Sequence, residues 1–149
     1  MRGLYWEEWE LGAEFESPAR TVTEADIVNF AGISGDYNPL HINEEFCRQT
    51  QFGARIAHGP LVYAIAAGLL FQLHLYDDTL VAFLGFDSLK FTKPVKIGDT
   101  VHARIKVSEK RETSKPDRGV MKRELYVINQ HGEVVQEAVQ AFLLKRNPG

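Results

Sequence analysis

Apolar and polar side chains alternate without a break from Val101 to Ser108. Val101, Ala103, Ile105 and Val107 fall between His102, Arg104, Lys106 and Ser108. A period of two sends the two sets to opposite faces of a strand, so the valines, Ala103 and Ile105 predict a buried face. Residues 80–86 are rich in apolar and aromatic side chains and read as a further strand. Residues 124–129 and 134–144 read as the arms of a hairpin around His131-Gly132. Residues 112–119, with Pro116 and Gly119, read as a mobile turn.

The first half of the chain has a helical texture. Thr23-x-x-Asp26 matches a capping box, with Asp in place of the usual Glu or Gln. It predicts a helix over 24–33 with Ile27, Phe30 and Ala31 on one face, and Gly32 and Gly35 offer places to end it. Asn43 can cap a second short helix carrying Glu44, Glu45 and Phe46, and Phe52-Gly53-Ala54 reads as a turn. Pro60 suits the first turn of a third helix through residue 71, where its missing N–H costs nothing. That helix is apolar nearly all round, which predicts burial on most sides. Ala64, Ala66, Ala67 and Gly68 are small enough to let a sheet approach closely. One long buried helix followed by antiparallel strands describes an α+β fold with a sheet wrapped around a helix, and residues 1–149 read as a single domain.

Composition narrows the class. Hydrophobic residues make up 44% and charged residues 25%, the balance of a soluble globular protein. The N-terminus is acidic and has no apolar core of a signal peptide, and the apolar stretch 61–71 is too short to span a bilayer. A single cysteine, Cys47, excludes an internal disulfide and reads as a small buried filler in a cytoplasmic protein. The net charge of −3 is unevenly spread: residues 1–50 carry −7 and residues 90–123 carry +7. The basic segment hints at an anionic partner, although solvated strand faces explain it better residue by residue. The acidic total and the lack of a recognition motif argue against nucleic acid.

The candidate chemistry lies in Gly35-Asp36-Tyr37-Asn38-Pro39-Leu40-His41 and in Ala57-His58-Gly59-Pro60. Asp36 and His41 flank an Asn-Pro step that is expected to forbid a regular helix between them. A carboxylate and a neutral imidazole held on one rigid loop can move protons on and off water. Gly59 precedes Pro60 at the helix start, where a free backbone amide can receive a developing oxyanion. For an isolated Asp-x-Asn-Pro a simple Asx turn would be the better reading. His58 is expected to pack or hydrogen-bond near the helix start rather than act on substrate, and His74, His102 and His131 to be structural or exposed. No histidine pair has zinc spacing with a third ligand beside it, so no metal or other cofactor is expected.

Together with Arg20-Thr21-Val22-Thr23-Glu24-Ala25-Asp26 and Phe91-Thr92-Lys93-Pro94-Val95-Lys96-Ile97-Gly98-Asp99-Thr100-Val101, these two motifs resemble the MaoC-like (R)-specific enoyl-CoA hydratases, also called hydratase 2. The resemblance runs from about Leu11 to Leu144. It implies a hotdog fold and an assembly of dimers or dimers of dimers. It also implies reversible hydration of trans-2-enoyl thioesters carried by coenzyme A or an acyl carrier protein. Residue by residue, it places the catalytic pair on Asp36 and His41, a supporting amide on Asn38 and the oxyanion-binding amide on Gly59. Tyr37, Leu40, Phe52 and Leu61 are candidates for an acyl pocket, although core packing explains them equally well, and Lys90, Lys93 and Lys96 are candidates for contacts to the phosphates of coenzyme A, although exposed lysines need no ligand. Two other readings compete: a hotdog thioesterase, and a non-catalytic thioester-binding subunit. The helix over 61–71 holds no acid of the kind hotdog thioesterases use, and an intact Asp36/Asn38/His41 set argues against a degenerate subunit.

Overall fold

A computed structural model covering residues 1–149 shows one antiparallel sheet curled around one long helix. In chain order the strands are β1 (Glu14–Glu16), β2 (Arg20–Thr21), β3 (Leu80–Phe91), β4 (Thr100–Glu112), β5 (Arg118–Ile128) and β6 (Val134–Lys145). The helices are α1 (Glu24–Ser34), α2 (Pro39–Ile42), α3 (Glu44–Arg48) and α4 (Gly59–Phe71), and a 3-10 turn spans Trp6–Glu8. The sheet order is β1-β4-β5-β6-β3, with β2 also pairing with β4. This is the hotdog arrangement.

The alternation of β4 predicts its pleat correctly. Val101, Ala103, Ile105 and Val107 are all at most 1% exposed, and they meet Met121, Leu125 and Val127 of β5 and Phe142 and Leu144 of β6 in one core. Onto this surface α4 lays Leu61, Val62, Ile65, Ala66, Leu69 and Leu70. Each large side chain buried in this way contributes about 1.5–3 kcal/mol.

Two expectations for α4 and one for the strands need correction. The helix is not covered all round: Pro60, Ala64 and Gly68 form an exposed stripe, and a side chain at Gly68 would meet nothing within 4 Å. Of the small residues only Ala66 is fully buried, so Ala64 and Gly68 do not seat the sheet. Gly119 lies inside β5 and not in the turn. A Cβ there would come within 2.6 Å of the Trp6 ring, whose Nε1 donates to Val120 O at 2.9 Å. β3 is the exposed edge of the sheet, and it leaves Phe83, Leu84, Phe86 and Phe91 open to solvent.

The capping box of α1 forms as read. Asp26 N–H donates to the Thr23 hydroxyl, and Asp26 Oδ2 accepts from Thr23 N–H. Gly35 ends the helix with φ of 77°, a left-handed conformation that glycine adopts without a Cβ penalty. The Asn-Pro step behaves differently from the expectation. Asn38 is an N-cap and Pro39 the first residue of α2, so proline begins a one-turn helix between Asp36 and His41. The missing N–H of proline is harmless at that position.

Candidate active site

Local hydrogen bonds shape the loop that carries Asp36 and His41. Asp36 Oδ1 accepts from Asn38 N–H at 3.2 Å, and Asn38 Oδ1 accepts from Leu40 N–H at 3.0 Å. Each is a short polar side chain replacing a backbone acceptor that a turn cannot provide. Asn38 therefore spends its oxygen on the cap of α2. Beneath the helix, the buried Cys47 thiol points at the carbonyls of Pro39 and Leu40, 3.3 Å from each. Burial pushes the Cys47 thiol pKa up, which leaves it a neutral filler. Arg55 ties α1 to α3 through ion pairs with Glu24 and Glu44, each at 2.6 Å.

The His41 ring is nearly buried, and its Nδ1 lies 2.7 Å from Ile56 O. A carbonyl oxygen accepts only N–H, so the proton of the neutral ring sits on Nδ1 and Nε2 offers a lone pair. That Nε2 lies 3.7 Å from Asp36 Oδ2. The separation is too long for a direct hydrogen bond and suits a water oxygen shared between the two.

His58, expected to pack or hydrogen-bond near the helix start, does both, and its packing partner is His41. It is 1% exposed, and its ring stacks on His41 with centroids 3.7 Å apart. By the same carbonyl argument its Nε2 donates to Asp36 O at 3.0 Å. Donor atoms of Asp36, His41 and His58 lie within 4.8 Å of one another. With His41 Nδ1 on Ile56 O and His58 Nε2 on Asp36 O, each ring keeps one nitrogen free.

His41 and Gly59 open on a common cavity of about 290 Å³. Phe52, Ile56, Val62, Phe91 and Val95 supply apolar wall, and Lys93 and Gln136 add polar groups. Gly59 is the first residue of α4, and its N–H donates to no protein acceptor. A Cβ on Gly59 would lie 2.5 Å from the Phe91 ring, so only glycine fits beneath that ring.

Of the expected pocket residues, Phe52 lines this cavity. Tyr37 is 57% exposed, Leu40 is half-buried beside α3, and Leu61 belongs to the core. Nor do the three lysines gather. Lys93 stands at the cavity and pairs with Glu133, Lys90 lines a separate depression with Glu124 and Glu137, and Lys96 lies where its segment bridges to Ile56. Val62, Phe91 and Gln136 were missed. Val62 follows Gly59 by one helical turn, and Phe91 stands in the Phe-Thr-Lys-Pro motif. Gln136 is an inward-facing polar residue on a strand whose other inward positions are mostly apolar.

The fold and the site together define a class, a hotdog domain that carries an acid next to an imidazole, with the imidazole and a free helix-start amide on one cavity. Within that class the chain belongs to the MaoC-like domain family, whose sequence profile matches residues 8–128. The chain is 40% identical over 114 residues to Protein MaoC of Klebsiella aerogenes, covering 76% of this chain and 33% of that protein. It is 39% identical over 104 residues to the (R)-specific enoyl-CoA hydratase of Rhodospirillum rubrum, covering 70% of this chain and 69% of that one. It thus spans about a third of the Klebsiella protein and somewhat over two thirds of the Rhodospirillum one. Among solved structures, the monoamine oxidase regulatory protein of Archaeoglobus fulgius superposes with a TM-score of 0.93 at 38% identity, covering 99% and 98% of the two chains. The (R)-hydratase of A. caviae superposes with a TM-score of 0.73 at 30% identity, covering 93% and 97%.

Proposed function

We propose that this protein is a hydro-lyase that adds water reversibly to trans-2-enoyl thioesters, giving (R)-3-hydroxyacyl thioesters. The observation that carries the reading is the facing pair, His41 Nε2 and Asp36 Oδ2, beside a cavity that is also lined by Gly59, whose N–H has no protein acceptor. With the thioester oxygen on Gly59, the helix start stabilises the enolate that forms as water attacks the β-carbon. The water sits between Asp36 and His41. Its oxygen bonds to the β-carbon, one proton passes to the pair, and the pair returns a proton to the α-carbon. Atoms and charge balance, and the reverse path eliminates water. Asn38 supports the pair indirectly, by capping the helix that carries His41. The relatives named as an enoyl-CoA hydratase and as a 3-hydroxybutyryl-CoA dehydratase, the latter 37% identical over 109 residues, support the reaction class.

Either coenzyme A or an acyl carrier protein can present the thioester, and Lys93 at the cavity is the lysine best placed to meet its phosphate. A second copy of the chain is the natural cover for the apolar edge strand β3, which would otherwise invite unspecific pairing. Sedimentation should show a dimer or a dimer of dimers, and a monomer at micromolar concentration would remove that part of the proposal. No helix is long and apolar enough to cross a membrane, and the free, buried Cys47 suits a reducing cytoplasm.

Crotonyl-CoA tests the reaction when enoyl absorbance and free thiol are followed together. Absorbance loss without thiol release is the expected result. Thiol release would instead establish a thioesterase, and binding without either change a non-catalytic module.

A further inference from the structure

The inward face of β6 carries Gln136 and Gln140 in a row with Ala138, Phe142 and Leu144. Each glutamine reaches across to α4. Gln136 Nε2 donates to Gly59 O at 2.8 Å, and Gln140 Nε2 donates to the Tyr63 hydroxyl at 2.8 Å. Gly59 and Tyr63 are four residues apart and so lie on one face of the helix. The two rungs fix the helix against the sheet along its axis, which apolar contact alone does less specifically.

The rungs differ in what they cost. Gln140 Oε1 accepts from the buried Arg123 Nε at 2.8 Å, so both ends of that amide are used. Gln136 is 3% exposed and its Oε1 is buried without any partner. Its orientation is set by Gly59 O, which can take only an N–H. A half-satisfied buried amide is unfavourable where methionine would fill the same space. The gain that offsets it lies at Gly59.

Glycine turns more freely about φ and ψ than any other residue, whereas an amide stabilises developing charge only if held in place beforehand. Before Gly59 the chain is pinned by Ala57 N–H on Val95 O at 2.7 Å and by His58 on Asp36 O. After it comes Pro60, which has no N–H with which to add a tether. Gln136 supplies the grip on that side, and the Phe91 ring closes over the Cα. We propose that Gln136 is a positioning residue: by holding the Gly59–Pro60 carbonyl it fixes the backbone angles about the Gly59 Cα, and so the orientation of the adjoining His58–Gly59 peptide whose N–H receives the thioester oxygen. The inference rests on the hydratase reading above.

Two variants test it with crotonyl-CoA as substrate and butyryl-CoA as a non-reacting ligand. Methionine in Gln136→Met keeps the length and loses the donor. Its kcat should fall by roughly 10- to 100-fold, while butyryl-CoA affinity and the melting curve change little. In Gln136→Glu the side chain can donate to Gly59 O only when protonated, and burial favours that neutral form. The ratio of its kcat to that of the wild type should therefore rise as pH is lowered from about 8 to about 5, across the range a buried carboxyl can titrate. A merely structural role would change the kcat of Gln136→Glu only in step with its melting curve as pH is raised, because a buried charge also loosens packing. That result, or a Gln136→Met variant within about threefold of wild type when roughly 10- to 100-fold is expected, would overturn the positioning role alone. A wild type that turns over no crotonyl-CoA would overturn the hydratase reading and this inference with it.

Discussion

The two halves of the site are built by opposite means. The turns of the Asp36–His41 loop are set mainly by bonds between residues two to four apart: the box at Thr23, the Asx turns at Asp36 and Asn38, and the left-handed Gly35. The Gly59 end of α4 is shaped by residues brought from far along the chain. Val95 and Gln136 supply hydrogen bonds there, and Phe91 supplies a ring. The difference shows where each half is vulnerable. The turns of the loop depend mainly on their own sequence, with Ile56 and His58 adding anchors to His41 and Asp36 from 15 and 22 residues away, whereas the Gly59 end depends on the sheet being correctly placed.

Removing the reacting groups should have the largest effect. Asp36→Asn and His41→Ala should each lower kcat by roughly 10²–10⁴-fold, the usual contribution of general acid–base groups, with little change in butyryl-CoA affinity. Near-normal turnover in either variant would remove that residue from the mechanism. At the other half, Gly59→Ala should cost about 100-fold or more, because its Cβ must displace the Phe91 ring from a position 2.5 Å away and the amide moves with it. Gly59→Ala combined with Phe91→Ala should recover part of the rate. A double variant no better than the single one would show that the clash is not the cause.

The smallest effect tests the locally built half. Burial alone would raise the Asp26 carboxyl, but the Thr23 amide and hydroxyl together with Arg20 outweigh it and hold Asp26 below its ordinary 3.8. A folded-state pKa below the unfolded one adds stability that is complete above the unfolded value. That stability drains away as pH falls through the folded value. Asp26→Asn should therefore cost about 1 kcal/mol near neutral pH, as loss of a cap typically does. The gap between wild type and variant should close as the pH drops below about 4, as linkage requires. Thermal melts over that range would show it, and a constant gap would mean that Asp26 acts through packing and not through its charge.

Much of this was legible in the sequence. The buried face of β4 followed from strict alternation, the start of α1 from its capping box and the family from the two His-containing motifs. The Asn-Pro step was read as a break because proline disrupts a helix it interrupts, yet the same residue begins one when Asn38 stands before it as a cap. Gly119 was read as part of a turn because nothing nearby in sequence announces Trp6, which packs flat against it. Tyr37 and Leu61 were candidates for the pocket by proximity to the motifs, but the turn after Gly35 leaves one exposed and the period of α4 turns the other into the core.

The sequence alone determined whatever depends on a period or on a hydrogen bond between near neighbours. That includes the inward row of β4, the caps of α1 and α3, and the placing of a carboxylate and an imidazole on one short loop. Tertiary structure alone decided that His58 would stack on His41, that Phe91 would lie on Gly59, and that Gln136 would reach Gly59 O from 77 residues away. It also decided which stripe of an almost uniformly apolar α4 faces outward. Those outcomes depend on where the sheet carries distant residues in space, and no local pattern of side chains encodes that path.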